Sequence, residues 1–245
     1  MLAIRSLLFN ILFFSWTILY MIVLLPLTGW YLKGKRMRRI ARFWTEGVHF
    51  LLRVIIGLDH RIIGRERVPD GPVLFASKHQ SAWETLVVQI LSVQTVIGLK
   101  YELSRVPLFG RYLILAGSVV IDRGGASKAI RSLVRGAKKA VSQGLNFMIF
   151  PEGTRRPVGA EPDYKPGVAA LYHALDVPCV PIALNSGLFW GRRSFIKRPG
   201  MITLEILDPI EPGLDRKTFM KILEERIEAG TDRLVAEAGG NPGPG

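Results

Sequence analysis

The sequence is poor in cysteine and histidine, and both shortages exclude classes of protein. Its 245 residues include one cysteine, Cys179, which excludes an intramolecular disulfide framework and a zinc site built from cysteines. The four histidines do not form the H-E-x-x-H spacing of a zinc hydrolase, so no metal is implied. A hydrophobic content of 49% excludes a disordered chain. We therefore expect a folded protein with one sizeable core, or with one core and an appendage.

Acidic residues are also scarce relative to basic ones. The chain has 33 Lys and Arg against 20 Asp and Glu, for a formal net charge of +13. Its mean hydropathy is nevertheless positive, at +0.24, and proteins that bind nucleic acids seldom need such an apolar composition. No RNA-binding signature or zinc-finger spacing is present, and we expect no nucleic-acid partner. A basic and apolar chain predicts contact with an anionic membrane surface.

Charge is missing altogether from Ser6 to Leu32, a stretch made mostly of large apolar residues. A helix needs about 20 apolar residues to cross the hydrocarbon core. The stretch is long enough for that, and too long for the apolar region of a signal peptide. Pro26 and Gly29 interrupt it, however, and would suit a segment that ends early and dips into the membrane. Both arrangements are open at this point.

Basic residues follow the apolar stretch: Lys33, Lys35, Arg36, Arg38, Arg39 and Arg42. Such a cluster attracts anionic lipid and marks the cytoplasmic side of a membrane. The next stretch, Phe43–Leu58, is apolar, with polar residues at helical spacing on one face: Arg39, Arg42, Glu46, His49 and Arg53. We predict a two-helix membrane anchor over residues 1–60, with an interfacial second helix. The remainder should lie at the cytoplasmic face of a membrane, in bacteria the inner membrane.

Beyond residue 60, short apolar runs alternate with helical periodicity. The predicted strands are Pro72–Ser77, Thr95–Tyr101, Ser118–Asp122, Leu145–Phe150, Pro178–Leu184 and Met201–Leu207. The predicted helices are Thr85–Leu91, Ser127–Gln143, Gly167–Leu175 and Lys217–Ala238. This alternation predicts an α/β domain over residues 61–238, with a mixed sheet covered by helices. Residues 239–245 are rich in Gly and Pro and are expected to be a disordered tail.

A histidine and a carboxylate flank the turn between the first of these strands and its helix. His79 and Glu84 can meet across such a turn, where the carboxylate would hold one imidazole nitrogen and leave the other to take a proton. The same segment also matches a capping box, in which Glu84 satisfies the backbone N–H of Ser81. Taken alone, the segment favours the capping box.

A second candidate, Phe150–Arg156, follows another predicted strand. Gly153 permits close backbone approach, and Arg155 and Arg156 carry guanidinium groups that suit phosphate. An ordinary basic surface turn is the alternative explanation. Likewise, the apolar run that ends in Asp122 and Arg123 is explained by a solvated ion pair, and Cys179 by a small core residue.

Four segments together resemble the glycerolipid acyltransferase family, and within it the 1-acylglycerol-3-phosphate acyltransferase branch. The family has an H-x-x-x-x-D box, a G-x-x-x-I-D-R segment, an F-P-E-G-T-R segment and a V-P-x-x-P strand. They match His79–Glu84, Gly117–Arg123, Phe150–Arg155 and Val177–Pro181, in that order. The family's aspartate is Glu84 here, which keeps the charge and adds one methylene.

The resemblance implies transfer of a fatty acyl group to the sn-2 hydroxyl of lysophosphatidic acid, a membrane lipid, to give phosphatidic acid. His79 would be the general base and Glu84 would orient it. The donor would be the thioester of acyl-CoA or acyl-carrier protein, with no cofactor. Direct attack agrees with the lack of a G-x-S-x-G nucleophile segment. The resemblance further implies residues that place the phosphate of the acceptor: Arg155 with Glu152, Gly153 and Thr154, Arg123 from its strand end, and Lys165.

Two alternatives accompany this interpretation. The same motifs serve lyso-ornithine lipid and other lysophospholipid acyltransferases, for which Arg155 would lack its obvious phosphate partner. A non-catalytic basic module that binds membranes would explain the anchor and the charge, but not the coincidence of His79 with Phe150–Arg155.

Overall fold

A computed structural model of the chain describes residues 1–27, 31–121 and 125–240. The helices are α1 (Leu2–Leu24), α2 (Lys35–Leu51), α3 (Trp83–Leu91), α4 (Tyr101–Ser104), α5 (Phe109–Leu115), α6 (Ala126–Ser142), α7 (Gly167–Leu175) and α8 (Arg216–Glu237). The strands are β1 (Leu58–Ile63), β2 (Leu74–Ser77), β3 (Thr95–Lys100), β4 (Val119–Ile121), β5 (Asn146–Ile149), β6 (Cys179–Leu184) and β7 (Gly200–Ile206). The α/β prediction is confirmed, and α7 has the predicted bounds.

The strands form one seven-stranded sheet in the order β1-β7-β6-β2-β5-β3-β4. Strands β6 and β7 are antiparallel, and the other neighbouring pairs are parallel. Strands β6, β2, β5, β3 and β4 therefore point the same way, and their carboxyl ends share one edge. In an open α/β sheet this edge is where ligands bind.

Strand β1 was missed by the sequence analysis. Its residues, Leu58–Ile63, include Asp59, His60 and Arg61, so the run lacks the apolar character of the other strands. It pairs only with β7, at the rim of the sheet, where polar side chains stay partly exposed. The sheet thus begins at Leu58, inside the segment that was assigned to the anchor.

Successive strand residues face opposite sides of the sheet and build two cores. In β2, Phe75 belongs to the core beneath α1, α2 and α3, whereas Leu74 and Ala76 belong to the core beneath α6, α7 and α8. Cys179 is fully buried in the second core, which confirms its prediction as a small core residue. Burial raises the pKa of its thiol.

Helices α1 and α2 form an antiparallel hairpin. Near one end the indole of Trp16 donates to the carbonyl of Trp44 at 3.2 Å, and further along α1 the Tyr20 hydroxyl donates to the carbonyl of Ile40 at 2.8 Å. Within residues 2–27, an 18-residue window has a mean hydropathy of 2.2, and only 6% of this window is buried. This helix is therefore long and apolar enough to cross a membrane. Such extensive apolar exposure agrees with membrane association.

The hairpin lies along the α/β domain and contacts it near both ends of α1. The backbone N–H of Lys197 donates to the Ser6 hydroxyl at 3.0 Å, and the Lys197 ammonium donates to the Asn10 side chain at 2.7 Å. At the other end, the Tyr112 hydroxyl donates to the carbonyl of Met21. The hairpin is therefore fixed to the domain along its length.

Two polar residues of the hairpin are placed differently from the prediction. Arg38, assigned to the lipid-binding cluster, is 4% exposed and donates to the carbonyls of Val93 at 2.7 Å and Ala116 at 3.0 Å. His49, assigned to a polar interfacial face, is buried against His60. The reason is that Arg38 and His49 lie on the side of α2 that packs on the domain, whereas Arg39, Arg42 and Glu46 are exposed.

The predicted tail starts at Gly239. Gly240 still donates its N–H to the carbonyl of Val235 at 2.9 Å, so these first two residues close the end of α8. The rest of the predicted tail lies outside the described residues.

Candidate active site

Three loops meet where β2, β5 and β6 end. His79 lies two residues after β2, Phe150 directly follows β5, and Ser186 comes two residues after β6. Since these strands are parallel neighbours in the sheet, segments more than 70 residues apart in sequence become adjacent. The candidate motifs thus form one site because of the strand order.

His79 is held by the Phe150–Arg156 loop from three directions. Its ring stacks on that of Phe150, with centroids 4.0 Å apart and planes 16° apart. Its backbone N–H donates to Glu152 Oε2 at 3.4 Å, and its carbonyl accepts from the backbone N–H of Arg156 at 2.8 Å. The two motifs therefore form one unit, with His79 at its centre.

Glu84 is 1% exposed and binds the turn that carries His79. Its Oε1 accepts from the backbone N–H groups of Gln80 at 2.7 Å and Ser81 at 2.9 Å, and from the Ser186 hydroxyl at 2.7 Å. The Ser81 hydroxyl in turn accepts from the N–H of Trp83 at 3.1 Å. This is the reciprocal pattern of a capping box. Among the described residues, the Glu84 hydrogen bonds lead to the turn and to Ser186 rather than to the His79 ring.

The environment of Glu84 opposes its ionisation. Burial raises the pKa of this carboxyl to about 7, although the hydrogen bonds from Gln80, Ser186 and Ser81 work in the other direction. Neutral donors stabilise a carboxylate, but here they do not fully replace the water that burial removes.

Glu152 and Gly153 shape the second loop. Gly153 has a φ of +64°, a left-handed conformation that glycine adopts without steric cost, and its N–H donates to the carbonyl of Phe150 at 2.9 Å. The carboxyl of Glu152 is 1% exposed and accepts from the Lys78 ammonium at 3.0 Å. Glu152 was predicted to help place the acceptor's phosphate together with Arg155, and its carboxylate is buried and paired with Lys78.

The other predicted binding residues lie at or beside the loop. Thr154 and Arg155 are half-buried. The backbone N–H of Lys165 donates to the carbonyl of Pro151 at 2.9 Å, and its exposed ammonium pairs with Asp163 at 2.6 Å. Arg123 lies outside the described residues.

Sequence reasoning assigned no role to several contributors: Lys78, Phe150, Tyr164, Ser186 and Glu228. Phe150 begins a recognised motif and Lys78 precedes one, but no periodicity indicates that the Phe150 ring stacks on His79 or that the Lys78 ammonium is buried. Glu228 is 150 positions from Lys78, and no local sequence pattern signals contacts at such a distance. No group of three or more His, Cys, Asp or Glu side chains suited to a metal ion occurs in the described part of the chain.

The chain is similar to known acyltransferases. A family model described as Acyltransferase matches residues 59–185. A 1-acyl-sn-glycerol-3-phosphate acyltransferase of Pseudomonas aeruginosa is 33% identical over 202 residues, which cover 82% of this chain and 79% of that protein. One from Cocos nucifera is 32% identical over 163 residues, which cover 66% of this chain and 53% of that protein.

The fold also has a counterpart among solved structures. The crystal structure of the 1-acyl-sn-glycerophosphate (LPA) acyltransferase PlsC from Thermotoga maritima matches with a TM-score of 0.76 at 20% identity, over 96% of this chain and 99% of that chain. At 20% identity the likeness shows the fold alone. Because the match covers 96% of this chain, it includes the N-terminal hairpin. The family match and the Pseudomonas relative confirm the resemblance seen in the motifs, and the chain belongs to the acyltransferase family, on the branch of enzymes named 1-acyl-sn-glycerol-3-phosphate acyltransferases.

Proposed function

We propose that this enzyme transfers a fatty acyl group from acyl-CoA or acyl-carrier protein to the sn-2 hydroxyl of lysophosphatidic acid and produces phosphatidic acid. The observation that carries the proposal is the attachment of the His79 turn to the Phe150–Arg156 loop, through ring stacking and two backbone hydrogen bonds. This contact between His79, the proposed base, and a loop whose residues suit a phosphate supports the proposal. The printed names of the relatives support the same acceptor.

In the proposed reaction, His79 takes the proton of the acceptor hydroxyl as its oxygen attacks the thioester carbonyl. The tetrahedral intermediate then expels the donor's sulfur, which takes up the proton, and the new ester remains on the lipid. No acyl-enzyme and no cofactor take part. Glu84 orients His79 by accepting from the backbone N–H groups of Gln80 and Ser81, which follow His79 in the turn.

The acceptor's phosphate lies at the second loop in this proposal. Arg155 supplies the guanidinium, Gly153 and Thr154 the surrounding loop, and Lys165 and Arg123 further positive charge. Glu152 acts indirectly, since it accepts from the His79 N–H and holds the loop to Lys78.

The hairpin brings this site to the lipid. Phe150 packs against the same core as Phe9 of α1 and Val48 of α2, so the His79 ring and the hairpin lie on one side of the sheet. Contacts near both ends of α1 favour a helix that dips into one leaflet over one that spans. The basic residues next to the hairpin suit anionic lipid at the cytoplasmic face, in bacteria that of the inner membrane.

The test is acyl transfer by detergent-purified protein, with acyl-CoA and acyl-carrier-protein donors and with lysophosphatidic acid or lyso-ornithine lipid as the acceptor. We expect transfer to lysophosphatidic acid and a loss of about 10²–10⁴-fold in kcat for His79→Ala. His173→Ala, at an exposed histidine of α7, is the matched control and should retain activity.

Other outcomes would contradict particular parts of the proposal. Transfer only to lyso-ornithine lipid would change the acceptor and remove the phosphate role of Arg155. Full activity of His79→Ala would refute the general base. No transfer to either acceptor by folded wild-type protein would favour a membrane-binding module.

A further inference from the structure

A buried ionic network lies directly behind the catalytic turn. The Lys78 side chain is 3% exposed, and its ammonium donates to Glu152 Oε1 at 3.0 Å and to both oxygens of Glu228 at 2.8 Å. The Tyr164 hydroxyl donates to Glu228 Oε1 at 2.7 Å. These four residues, Lys78, Glu152, Glu228 and Tyr164, are called the Lys78 network below.

The network joins separate parts of the fold. Lys78 precedes His79 in the turn, Glu152 belongs to the second loop, Tyr164 precedes α7, and Glu228 lies on α8. Because Lys78 and His79 are consecutive, one side chain can face α8 while the other stacks on Phe150. Both loops of the active site are thereby fastened to the C-terminal helix.

Charge explains why the geometry of the network is well defined. Removal of one member of a buried ion pair leaves an uncompensated charge, which is strongly unfavourable. Lys78 binds two carboxylates that would otherwise repel each other, and the charge of Glu228 raises the pKa of Glu152 whereas Lys78 lowers it. The Glu152 carboxylate is held between this ammonium and the N–H of His79.

We propose that Lys78 is a positioning residue for the acyl transfer: through Glu152 it fixes the backbone of His79 against the phosphate loop, and through Glu228 it fixes both to α8. The inference rests on the proposed function, in which His79 is the base. Lys78 does not touch the reacting atoms, and it affects catalysis through the placement of His79. The motifs that identify the site do not include Lys78, Tyr164 or Glu228.

The kinetic test compares Lys78→Met with Lys78→Arg and with Lys221→Met, an exposed lysine of α8. We expect Lys78→Met to lower kcat at least 10-fold with KM for lysophosphatidic acid changed less than threefold, because the substitution removes neither the Arg155 guanidinium nor the Lys165 ammonium. Lys78→Arg retains the charge and should recover part of kcat. Tyr164→Phe removes one hydroxyl and should lower kcat by a smaller factor. This variant keeps the proposal testable if the Lys78→Met protein does not fold.

The pH profile separates positioning from loss of fold. Burial raises the pKa of Glu152 and the Lys78 ammonium opposes this rise, so Lys78→Met should raise that pKa further. The ionised Glu152 accepts from His79, and the acidic limb of kcat should therefore move to higher pH. Besides the members of the network, the titratable groups that surround it are His79 and Glu161, with Glu224, Glu225 and Asp232 from α8.

Hydrogen exchange supplies a readout that does not need activity. Lys78→Met should speed amide exchange in segments 77–84 and 150–156 and leave α1 unchanged, whereas Lys221→Met should alter neither. If the wild type transfers no acyl group, the proposed function fails and faster exchange in these two segments still supports the positioning role. Unchanged exchange, or a loss of kcat with no shift of the acidic limb and no recovery in Lys78→Arg, would overturn it.

Discussion

Two carboxylates of the site, Glu84 and Glu152, are equally buried but are held by different kinds of partner. Each is 1% exposed. Within the described part of the chain, Glu84 accepts from neutral groups only, which are backbone N–H groups and the Ser186 hydroxyl. Glu152 is bound by the ammonium of Lys78 as well as by the N–H of His79.

The difference shows two ways to keep a carboxylate out of water. Neutral donors satisfy the Glu84 oxygens without supplying charge, and burial raises the pKa of Glu84 to about 7. A cation offsets part of the same effect at Glu152, whose pKa is raised by burial and lowered by Lys78. Glu84 should therefore depend on the shape and hydrogen bonds of its side chain, and Glu152 on its charge.

The largest effect should come from Glu152→Gln. The substitution keeps the size of the side chain but leaves Lys78 with Glu228 as its partner among the residues that hold it. Because breaking a buried ion pair typically costs about 3–5 kcal/mol, and Glu228 remains, we expect the free energy of unfolding to fall by about 3 kcal/mol. Urea unfolding in detergent measures this. The control is Glu66→Gln, at an exposed position, and a loss no larger than that of the control would refute the charge argument.

A smaller effect that depends on pH is expected for Glu84→Gln. The amide oxygen can replace Oε1, but the NH₂ group faces the N–H of Ser81, which Oε2 accepts at 3.0 Å. At pH 5 we expect a loss of about 1–2 kcal/mol in the free energy of unfolding. The measurement is urea unfolding at pH 5 and pH 8.

The sign of the pH dependence follows from the raised pKa. The Glu84 carboxyl has a pKa near 4.5 in the unfolded chain, so the folded state binds its proton more tightly than the unfolded state does. The bound proton therefore contributes fully to stability below pH 4.5. This contribution is lost as pH rises through about 7. Glutamine has no such ionisation, and the cost of Glu84→Gln should shrink toward pH 8. A cost that grows with pH would contradict this assignment.

The smallest effect is expected for Ser186→Ala. It removes one neutral donor, at 2.7 Å from Glu84 Oε1, while the backbone donors of Gln80 and Ser81 remain. We expect a loss of about 1 kcal/mol in the free energy of unfolding, which thermal or urea unfolding can measure. The control is Ser142→Ala, at an exposed position of α6. If Ser186→Ala lowers the free energy of unfolding more than Glu84→Gln does at pH 5, the proposed order of these two effects is wrong.

Sequence reasoning was most successful where local pattern and strand order coincide. Apolar runs located the strands beside His79 and Phe150, and parallel pairing then brought their loops together. The capping box was also visible as one explanation of Glu84, since its residues lie within one turn. The structure shows that this explanation holds and that the same bonds fix the turn of His79.

The parts that could not be predicted depend on contacts between distant segments. The ammonium of Lys78 finds Glu228 on the last helix, and Arg38 finds backbone carbonyls of the domain instead of lipid. Strand β1 forms although half its residues are polar, because β7 supplies a partner. Each outcome was decided by tertiary packing, for which a single sequence carries no periodic signal.

The attachment of the hairpin to the domain has a consequence for how the enzyme meets its lipid. A catalytic domain on a flexible tether samples many heights and tilts above a bilayer, but here Ser6 and Met21, near opposite ends of α1, are bonded to the domain. The immersion depth of the hairpin therefore sets the height and orientation of His79 together. Under the proposed function, an acceptor that diffuses laterally within the leaflet would therefore meet His79 at a constant level.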